Sequence, residues 1–210
     1  MKVAGSYTFE ASQKTVWETL QNPTVLTAVL PGCDRLAEVG ENQWEGDLNI
    51  KVGPVQGKFK GRIEMRDLEP PKSFNLGIDG QGSTGFVKAT AKVDLEAAGE
   101  GTIMHYDSDA QVGGRIASVG QRLLDSSAKA IIQQSLDGLH DLMKVAKPSE
   151  TEDGEAVTSV EEAAADFQAP TQAEFAAKVA KEVAKDVVPR PLLIGGLIII
   201  ILIILYLLLS

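Results

Sequence analysis

Five segments between residues 44 and 112 alternate apolar and polar side chains, and this pattern constrains the fold more than any other feature of the sequence. The segments are 44–52, 58–66, 73–79, 87–95 and 102–112. Successive side chains of a strand point to opposite faces, so each segment predicts a strand with one apolar and one polar face. Such strands are typical of an antiparallel sheet that is covered on one face and wet on the other.

Turn residues separate these segments at distances that indicate hairpins, as at Gly53-Pro54 and Pro70-Pro71. The residues before the first segment predict, in order, a strand at 2–10, helices at 13–21 and 23–30, and a strand at 33–39. Ser12 is the expected N-cap of the first helix, and Pro23 is expected to begin the second.

From Arg115 to Val145 the spacing of apolar residues changes to three and four, and no proline interrupts it. This spacing predicts one long amphipathic helix that covers the apolar face of the sheet. The predicted fold class is therefore α+β, with a curved antiparallel sheet of about six to seven strands around a long C-terminal helix. We expect an apolar cavity between sheet and helix, and such cavities are common ligand sites.

The C-terminal part of the chain contains three further zones. Residues 148–170 contain seven acidic residues and no Lys or Arg, which predicts a flexible acidic linker. Residues 171–188 have helical apolar spacing and predict an amphipathic helix, lying either at a membrane surface or in solvent. Leu192–Leu209 carries no charge and as a helix would span roughly 27 Å, so residues 190–210 predict a single C-terminal transmembrane anchor.

Charge and cysteine content narrow the location and the partners. Basic side chains precede the predicted anchor and none follows it, which predicts that residues 1–147 lie at the cytoplasmic face of the cell membrane. The single cysteine, Cys33, fits a reducing compartment. The formal net charge of −9 argues against nucleic acid as a partner.

Four short motifs resemble those of CoxG, a family of carbon monoxide dehydrogenase subunits. They are Leu30-Pro31-Gly32-Cys33, Val52-Gly53-Pro54-Val55, Gly80-Gln81-Gly82 and the segment GGRIASVGQRLL at 113–124. The resemblance covers about residues 1–145, and the predicted element order is similar to the helix-grip fold of the START-like (SRPBCC) superfamily of lipophilic-ligand binders. It implies that residues 1–147 form a START-like domain for a lipophilic ligand, and that the partner is a molybdenum hydroxylase of the CO dehydrogenase type.

A membrane anchor, a flexible linker and a START-like cavity together lead to a functional hypothesis. The chain is expected to be an accessory protein, not an enzyme, that binds a quinone (menaquinone or ubiquinone) or a similar isoprenoid lipid and links the dehydrogenase to the respiratory membrane. Two alternatives stay open: a docking adaptor whose cavity is filled by side chains, and an enzyme such as a cyclase or hydrolase, which the superfamily also contains.

The residues predicted to line the cavity are apolar side chains on the inner phase of the strands and on the predicted long helix, with a few from the segments between them. They are Val29, Leu30, Trp44, Phe59, Ile63, Met65, Leu76, Phe86, Met104, Tyr106, Ile116, Val119 and Leu123. Tyr106, Ser108 and Gln111 are candidate hydrogen-bond donors to a quinone carbonyl, and a purely structural role is the alternative.

Catalytic and metal-binding patterns are scarce, and no metal or catalytic residue is predicted. His105 and His140 are expected at the surface, and with Cys33 they do not form a ligand set of metal-site spacing. Cys33 itself is interpreted as a small buried hydrophobe rather than a reactive thiol. The glycines at 80, 82 and 85 precede a strand instead of a helix, which argues against a dinucleotide site.

Overall fold

The computed structural model describes residues 1–145 and 160–167, and seven antiparallel strands make up most of this part of the chain. The strands are β1 Lys2–Phe9, β2 Cys33–Gly40, β3 Gln43–Val52, β4 Val55–Glu69, β5 Ser73–Gly82, β6 Gly85–Ala98 and β7 Gly101–Gly113. The helices are α1 Gln13–Thr19, α2 Pro23–Val29, α3 Gln121–Val145 and α4 Val160–Asp166, with a 3₁₀ segment at Arg115–Val119. The predicted α+β class, with an antiparallel sheet and a long helix, is confirmed.

The sheet has the order β1-β7-β6-β5-β4-β3-β2. Strands β2 to β7 follow one another as hairpins, whereas β1 pairs with the last strand, where Lys2 lies opposite Asp109. The short helices α1 and α2 therefore bridge the two edges of the sheet. Their N-caps are local: Ser12 Oγ accepts from the Thr15 amide at 3.2 Å, and Asn22 Oδ1 accepts from the Thr24 amide at 3.0 Å.

Helix α3 covers the concave apolar face of the sheet. Leu136, Leu139 and Leu142 are buried in one core cluster with side chains from the strands, such as Phe74 and Val93. Trp17 of α1 joins the same cluster, with its ring centroid 5.5 Å from that of Phe74. The predicted pattern of one covered face is thus present, and burial of these apolar side chains is the main stabilising contribution to the domain.

The single helix predicted over 115–145 is wrong at its N-terminal end. Gly120 has φ 90° and ψ 151°, a conformation that interrupts the helix, and residues Arg115–Val119 form the separate 3₁₀ segment. The Ile116 amide donates to the Thr84 carbonyl at 2.9 Å, which ties this segment to the β5–β6 turn. Ile116 consequently packs with Val52 and Phe59 in a second core cluster.

Part of the predicted flexible linker is folded. Val160–Asp166 forms α4, which packs against α2 and α3, and Ala164 is buried in the main core cluster. The linker prediction over 148–170 is therefore wrong for these residues, because Val160, Ala163, Ala164 and Phe167 supply an apolar face that the acidic composition obscures. Residues 146–159 and 168–170, the predicted amphipathic helix at 171–188 and the predicted anchor at 190–210 lie outside the described residues. Within the described ranges, no helix is long and apolar enough to cross a membrane.

Candidate functional site

An apolar cavity of about 450 Å³ lies between the inner face of the sheet and α3. Strands β3 to β7 form its floor and the middle of α3 forms its roof. Leu26 of α2 and Leu30 close one end, and Val3 of β1 lies at the other. The volume is within the usual range for small-molecule sites.

Several of the predicted residues meet in this cavity because the strand register aligns them. Trp44 of β3 lies opposite Ile63 of β4, and Met65 of β4 lies opposite Leu76 of β5. The predicted residues that line the cavity are Leu30, Trp44, Ile63, Met65, Leu76, Met104 and Tyr106. That any of them binds a ligand stays a prediction.

The remaining predicted residues lie elsewhere. Val29 is buried on another side of α2, against Gly138 of α3. Phe59, Ile116, Val119 and Leu123 belong to the second core cluster, because the first half of the long strand β4 faces the 3₁₀ segment and the start of α3 instead of the cavity.

Phe86 does not contribute to the cavity either. It is 40% exposed, and its ring covers Gly113 of β7, its cross-strand partner. Side chains alternate along β6, so Val87, which does line the cavity, leaves Phe86 on the opposite face.

Sequence reasoning missed many of the lining residues, and two groups of them are the most informative. The first is the underside of α3, including Ile131, Ile132 and Leu139. The second is a set of small side chains, Ala89 and Ala91 of β6 and Ala110 of β7. Ala89 lies directly opposite Ala110, and such small side chains leave the space that larger ones would fill. The sequence could have revealed these three alanines, because they alternate in phase with the other inward-facing residues of β6 and β7.

The hydroxyl groups of the cavity wall differ in whether they already make a hydrogen bond within the protein. Ser108 Oγ donates to the Val3 carbonyl at 2.8 Å, and Ser135 Oγ donates to the Ile131 carbonyl at 2.9 Å. The Tyr106 hydroxyl makes no hydrogen bond with a described residue, and burial raises the pKa of this phenol. Gln111 is exposed and lies beside Lys88 on the outer face, so its predicted place among the cavity donors is wrong.

A polar cluster joins β1 to α3 outside the cavity. The Tyr7 hydroxyl donates to Asp137 at 3.1 Å, and the Gln133 amide donates to the same carboxylate oxygen at 2.9 Å. Burial, this hydrogen bond and the charges of Asp137 and Asp141 raise the pKa of Tyr7 well above its usual value. These hydrogen bonds connect the C-terminal half of β1 to α3.

The two histidines and the cysteine are placed as follows. His105 is exposed on β7, as predicted, whereas His140 is half-buried with its ring centroid 5.9 Å from that of Tyr7. Cys33 is half-buried, and burial raises the pKa of its thiol, which favours the interpretation as a small hydrophobe. Among the described residues, no group of three or more His, Cys, Asp or Glu side chains could hold a metal ion.

The comparison with family models decides the family. The model for CoxG, described as a subunit of carbon monoxide dehydrogenase, matches residues 5–143. The chain belongs to the CoxG family. The resemblance seen in its sequence motifs is therefore confirmed.

Solved structures place this CoxG chain in the START-like fold. A conserved protein from Geobacillus kaustophilus is 32% identical, with a TM-score of 0.66, and the match covers 69% of this chain and 95% of that one. A START superfamily protein from Mycobacterium smegmatis is 14% identical over 68% of this chain and 98% of that one, with a TM-score of 0.50.

An enzyme shares the same fold. The Zhui aromatase/cyclase from Streptomyces sp. R1128 is 12% identical to the CoxG chain, with a TM-score of 0.53 over 71% of this chain and 96% of that one. At that identity the likeness concerns the fold alone. Among proteins of curated function, none matches the chain.

The geometry of this CoxG cavity suits binding better than acid–base chemistry. Apart from the Tyr106 phenol and the terminal amine of Met1, its wall, as far as the structure describes it, contains no ionisable group. The amine is already engaged, since it donates to the Ala110 carbonyl at 2.7 Å. Such a wall can exclude water from an apolar ligand and hold it by contact.

Proposed function

We propose that this chain is a membrane-anchored, non-catalytic accessory protein of a molybdenum CO dehydrogenase-type enzyme, and that its cavity binds a quinone or a similar isoprenoid lipid. The observation that carries the proposal is the apolar cavity of about 450 Å³ between the sheet and α3. In this role the protein links the enzyme to the respiratory membrane, because the quinone that accepts electrons is dissolved in the bilayer.

The composition of the cavity wall supports a lipid ligand. Burial of apolar ligand surface contributes roughly 25 cal/mol per Å², and this term needs no charged partner in the wall. The side chains that line the cavity are overwhelmingly Leu, Ile, Val, Ala and Met. An isoprenoid chain, which is branched and wholly apolar, matches such a wall.

The partner and the location rest on other parts of the chain. The CoxG family is described as a subunit of carbon monoxide dehydrogenase, which supports an enzyme of that type as the partner. The uncharged segment Leu192–Leu209 supports attachment to the cytoplasmic face of the membrane. Its deletion should move the protein from the membrane fraction to the soluble fraction.

The deciding experiment is lipid analysis of the full chain purified from its native membrane. Extraction followed by mass spectrometry should find a quinone or another isoprenoid lipid near one molecule per chain. Ala89→Phe, which places a ring inside the cavity, should abolish this co-purification. Thr90→Phe is the matched control, since the next residue of β6 points to the outer face.

Two results would contradict the proposal. Absence of any lipid from the wild-type protein would favour a docking adaptor without a ligand, provided that the protein still binds the dehydrogenase. Equal lipid content in the Ala89→Phe and Thr90→Phe variants would show that the lipid is carried outside the cavity.

A further inference from the structure

The one charged group of the described cavity wall, the terminal amine of Met1, is already paired, since it donates to the Ala110 carbonyl at 2.7 Å and lies 3.5 Å from the Asp109 carboxylate. Among the side chains that line it in the described structure there is no Lys, Arg, His, Asp or Glu. An ionised group moved from water into such surroundings without a partner would lose several kcal/mol of solvation. The wall therefore disfavours fatty acids and anionic phospholipid headgroups, although it accepts their hydrocarbon chains.

Among the described residues, only one side-chain hydroxyl of the wall is free to bind a ligand. The hydroxyls of Ser108 and Ser135 donate to backbone carbonyls, whereas that of Tyr106 has no described partner. The indole nitrogen of Trp44 also lacks a partner, but it has less than 1 Å² of accessible surface, so a ligand in the cavity does not reach it. Because burial raises the pKa of Tyr106, the phenol stays protonated at neutral pH and is available as a donor.

The position of this hydroxyl defines a polar end of the cavity. Tyr106 lies on β7 opposite Gly5 of β1, and a Cβ atom at Gly5 would come within 2.5 Å of the phenolic oxygen. The absence of a side chain at Gly5 thus gives the hydroxyl its place. Trp44 lies on β3, four strand spacings away, which is roughly 19 Å along the sheet. Leu26 and Leu30 line the cavity as well, and neither has a polar side-chain atom.

We propose that the cavity selects neutral lipids with an acceptor oxygen at one end of a long apolar body, and that the Tyr106 hydroxyl donates a hydrogen bond to that oxygen. The apolar body then extends along the sheet toward Trp44 and Leu30. This inference rests on the proposed function and adds the ligand class and its orientation. An isoprenoid quinone belongs to this class, whereas an isoprenoid hydrocarbon and a fatty acid do not.

The test compares three ligands and two variants of the full chain in mild detergent, with apparent affinities from native mass spectrometry. The ligands are a naphthoquinone with a two-isoprene tail, squalene, which has no oxygen, and palmitate, which is charged. Tyr106→Phe removes only the hydroxyl. Tyr7→Phe is the matched control, since it removes a hydroxyl that is bonded to Asp137 outside the cavity.

Tyr106→Phe should weaken binding of the quinone about two- to tenfold, the usual effect of one hydrogen bond, and leave squalene unchanged. Tyr7→Phe should change neither affinity, and palmitate should bind more weakly than the quinone to every form of the protein.

An unchanged quinone affinity in Tyr106→Phe, or an equal loss for quinone and squalene, would overturn the role of the hydroxyl. Palmitate binding as tightly as the quinone would overturn the selection of neutral lipids. A wild-type protein that binds neither quinone nor squalene would instead contradict the proposed function itself.

Discussion

Two tyrosines on neighbouring strands, Tyr7 and Tyr106, show how strongly local surroundings decide what a residue can do. Both have a raised pKa, and burial is the largest cause in each case. Tyr7 donates its hydroxyl to Asp137, so it fastens β1 to α3. Tyr106 lines the cavity, and its hydroxyl has no hydrogen-bond partner among the described residues. The same residue type is thus structural at one position and available to a ligand at the other.

The raised pKa of Tyr7 predicts a loss of stability in alkaline solution. An unfolded chain ionises its tyrosines near pH 10, whereas folded Tyr7 holds its proton to higher pH. The contribution of Tyr7 to the free energy of unfolding should therefore be complete below about pH 10 and decline as the pH rises toward the folded pKa. Urea unfolding of wild type and Tyr7→Phe at pH 8 and pH 11 measures this contribution. The difference in the free energy of unfolding between the two proteins should be smaller at pH 11 than at pH 8. A constant difference would contradict the prediction.

Alternation along the strands predicts most of the site at the level of single residues. The inner phase of the strands places Trp44, Ile63, Met65, Leu76 and Met104 in the cavity. The same alternation places Phe86 and Gln111 on the outer face, because their neighbours Val87 and Ala110 line the cavity. The prediction of Phe86 and Gln111 as site residues was therefore inconsistent with alternation. What alternation does not reveal is the hydroxyl that stays free, because this depends on backbone partners such as the Val3 carbonyl that binds Ser108.

At the scale of elements, the break before α3 is the feature that apolar spacing hides. The spacing of Ile116, Val119 and Leu123 fits a continuous helix, but these side chains pack on the second core cluster. The glycines that turn the chain, Gly114 and Gly120, both have positive φ. Glycine is tolerated inside many helical patterns, so its presence alone does not locate the break.

Gly120→Ala should destabilise the domain by about 1–3 kcal/mol, because φ 90° with ψ 151° is accessible almost only to glycine. Apart from the two neighbouring residues of the chain, no described residue has an atom within 4 Å of the added Cβ, so the cost would come from the backbone conformation. Gly99→Ala is a suitable comparison, because that position is equally open but has φ 63°, in the left-handed region, and should lose less. Urea unfolding measures both. Unchanged stability together with higher helix content for Gly120→Ala would mean that residues 115–145 can form one helix.

At the scale of the whole molecule, α4 connects the domain to the part of the chain that precedes the predicted anchor. It packs on α2 and α3, and Phe167 lies close to Gly138 of α3. Residues 160–167 therefore stay with the domain, and if the chain is anchored as proposed, only residues beyond 167 set its reach toward the membrane.

Gly138→Leu should displace α4. A Cβ atom at Gly138 would lie 3.1 Å from Val29 and 3.3 Å from Phe167, so a leucine does not fit without movement of α2 or α4. Leucine favours helix over glycine by roughly 1 kcal/mol, so α3 itself should not weaken. Hydrogen exchange should become faster in residues 160–167 of this variant and stay unchanged in Lys129→Leu, which alters an exposed position of α3. Unchanged exchange in both variants would contradict the packing of α4 at Gly138.

If the cavity of about 450 Å³ binds a lipid as proposed, the ligand has a consequence for the amount of protein in the cell. Atoms around an empty apolar space forgo dispersion contacts, and a bound lipid supplies them only to the folded state. By mass action, a ligand at one hundred times its Kd adds about 2.7 kcal/mol to the free energy of unfolding. Chains that hold a lipid then unfold more rarely and escape proteolysis longer than empty ones. The abundance of the protein would in this way follow the supply of its lipid, without any change in its synthesis.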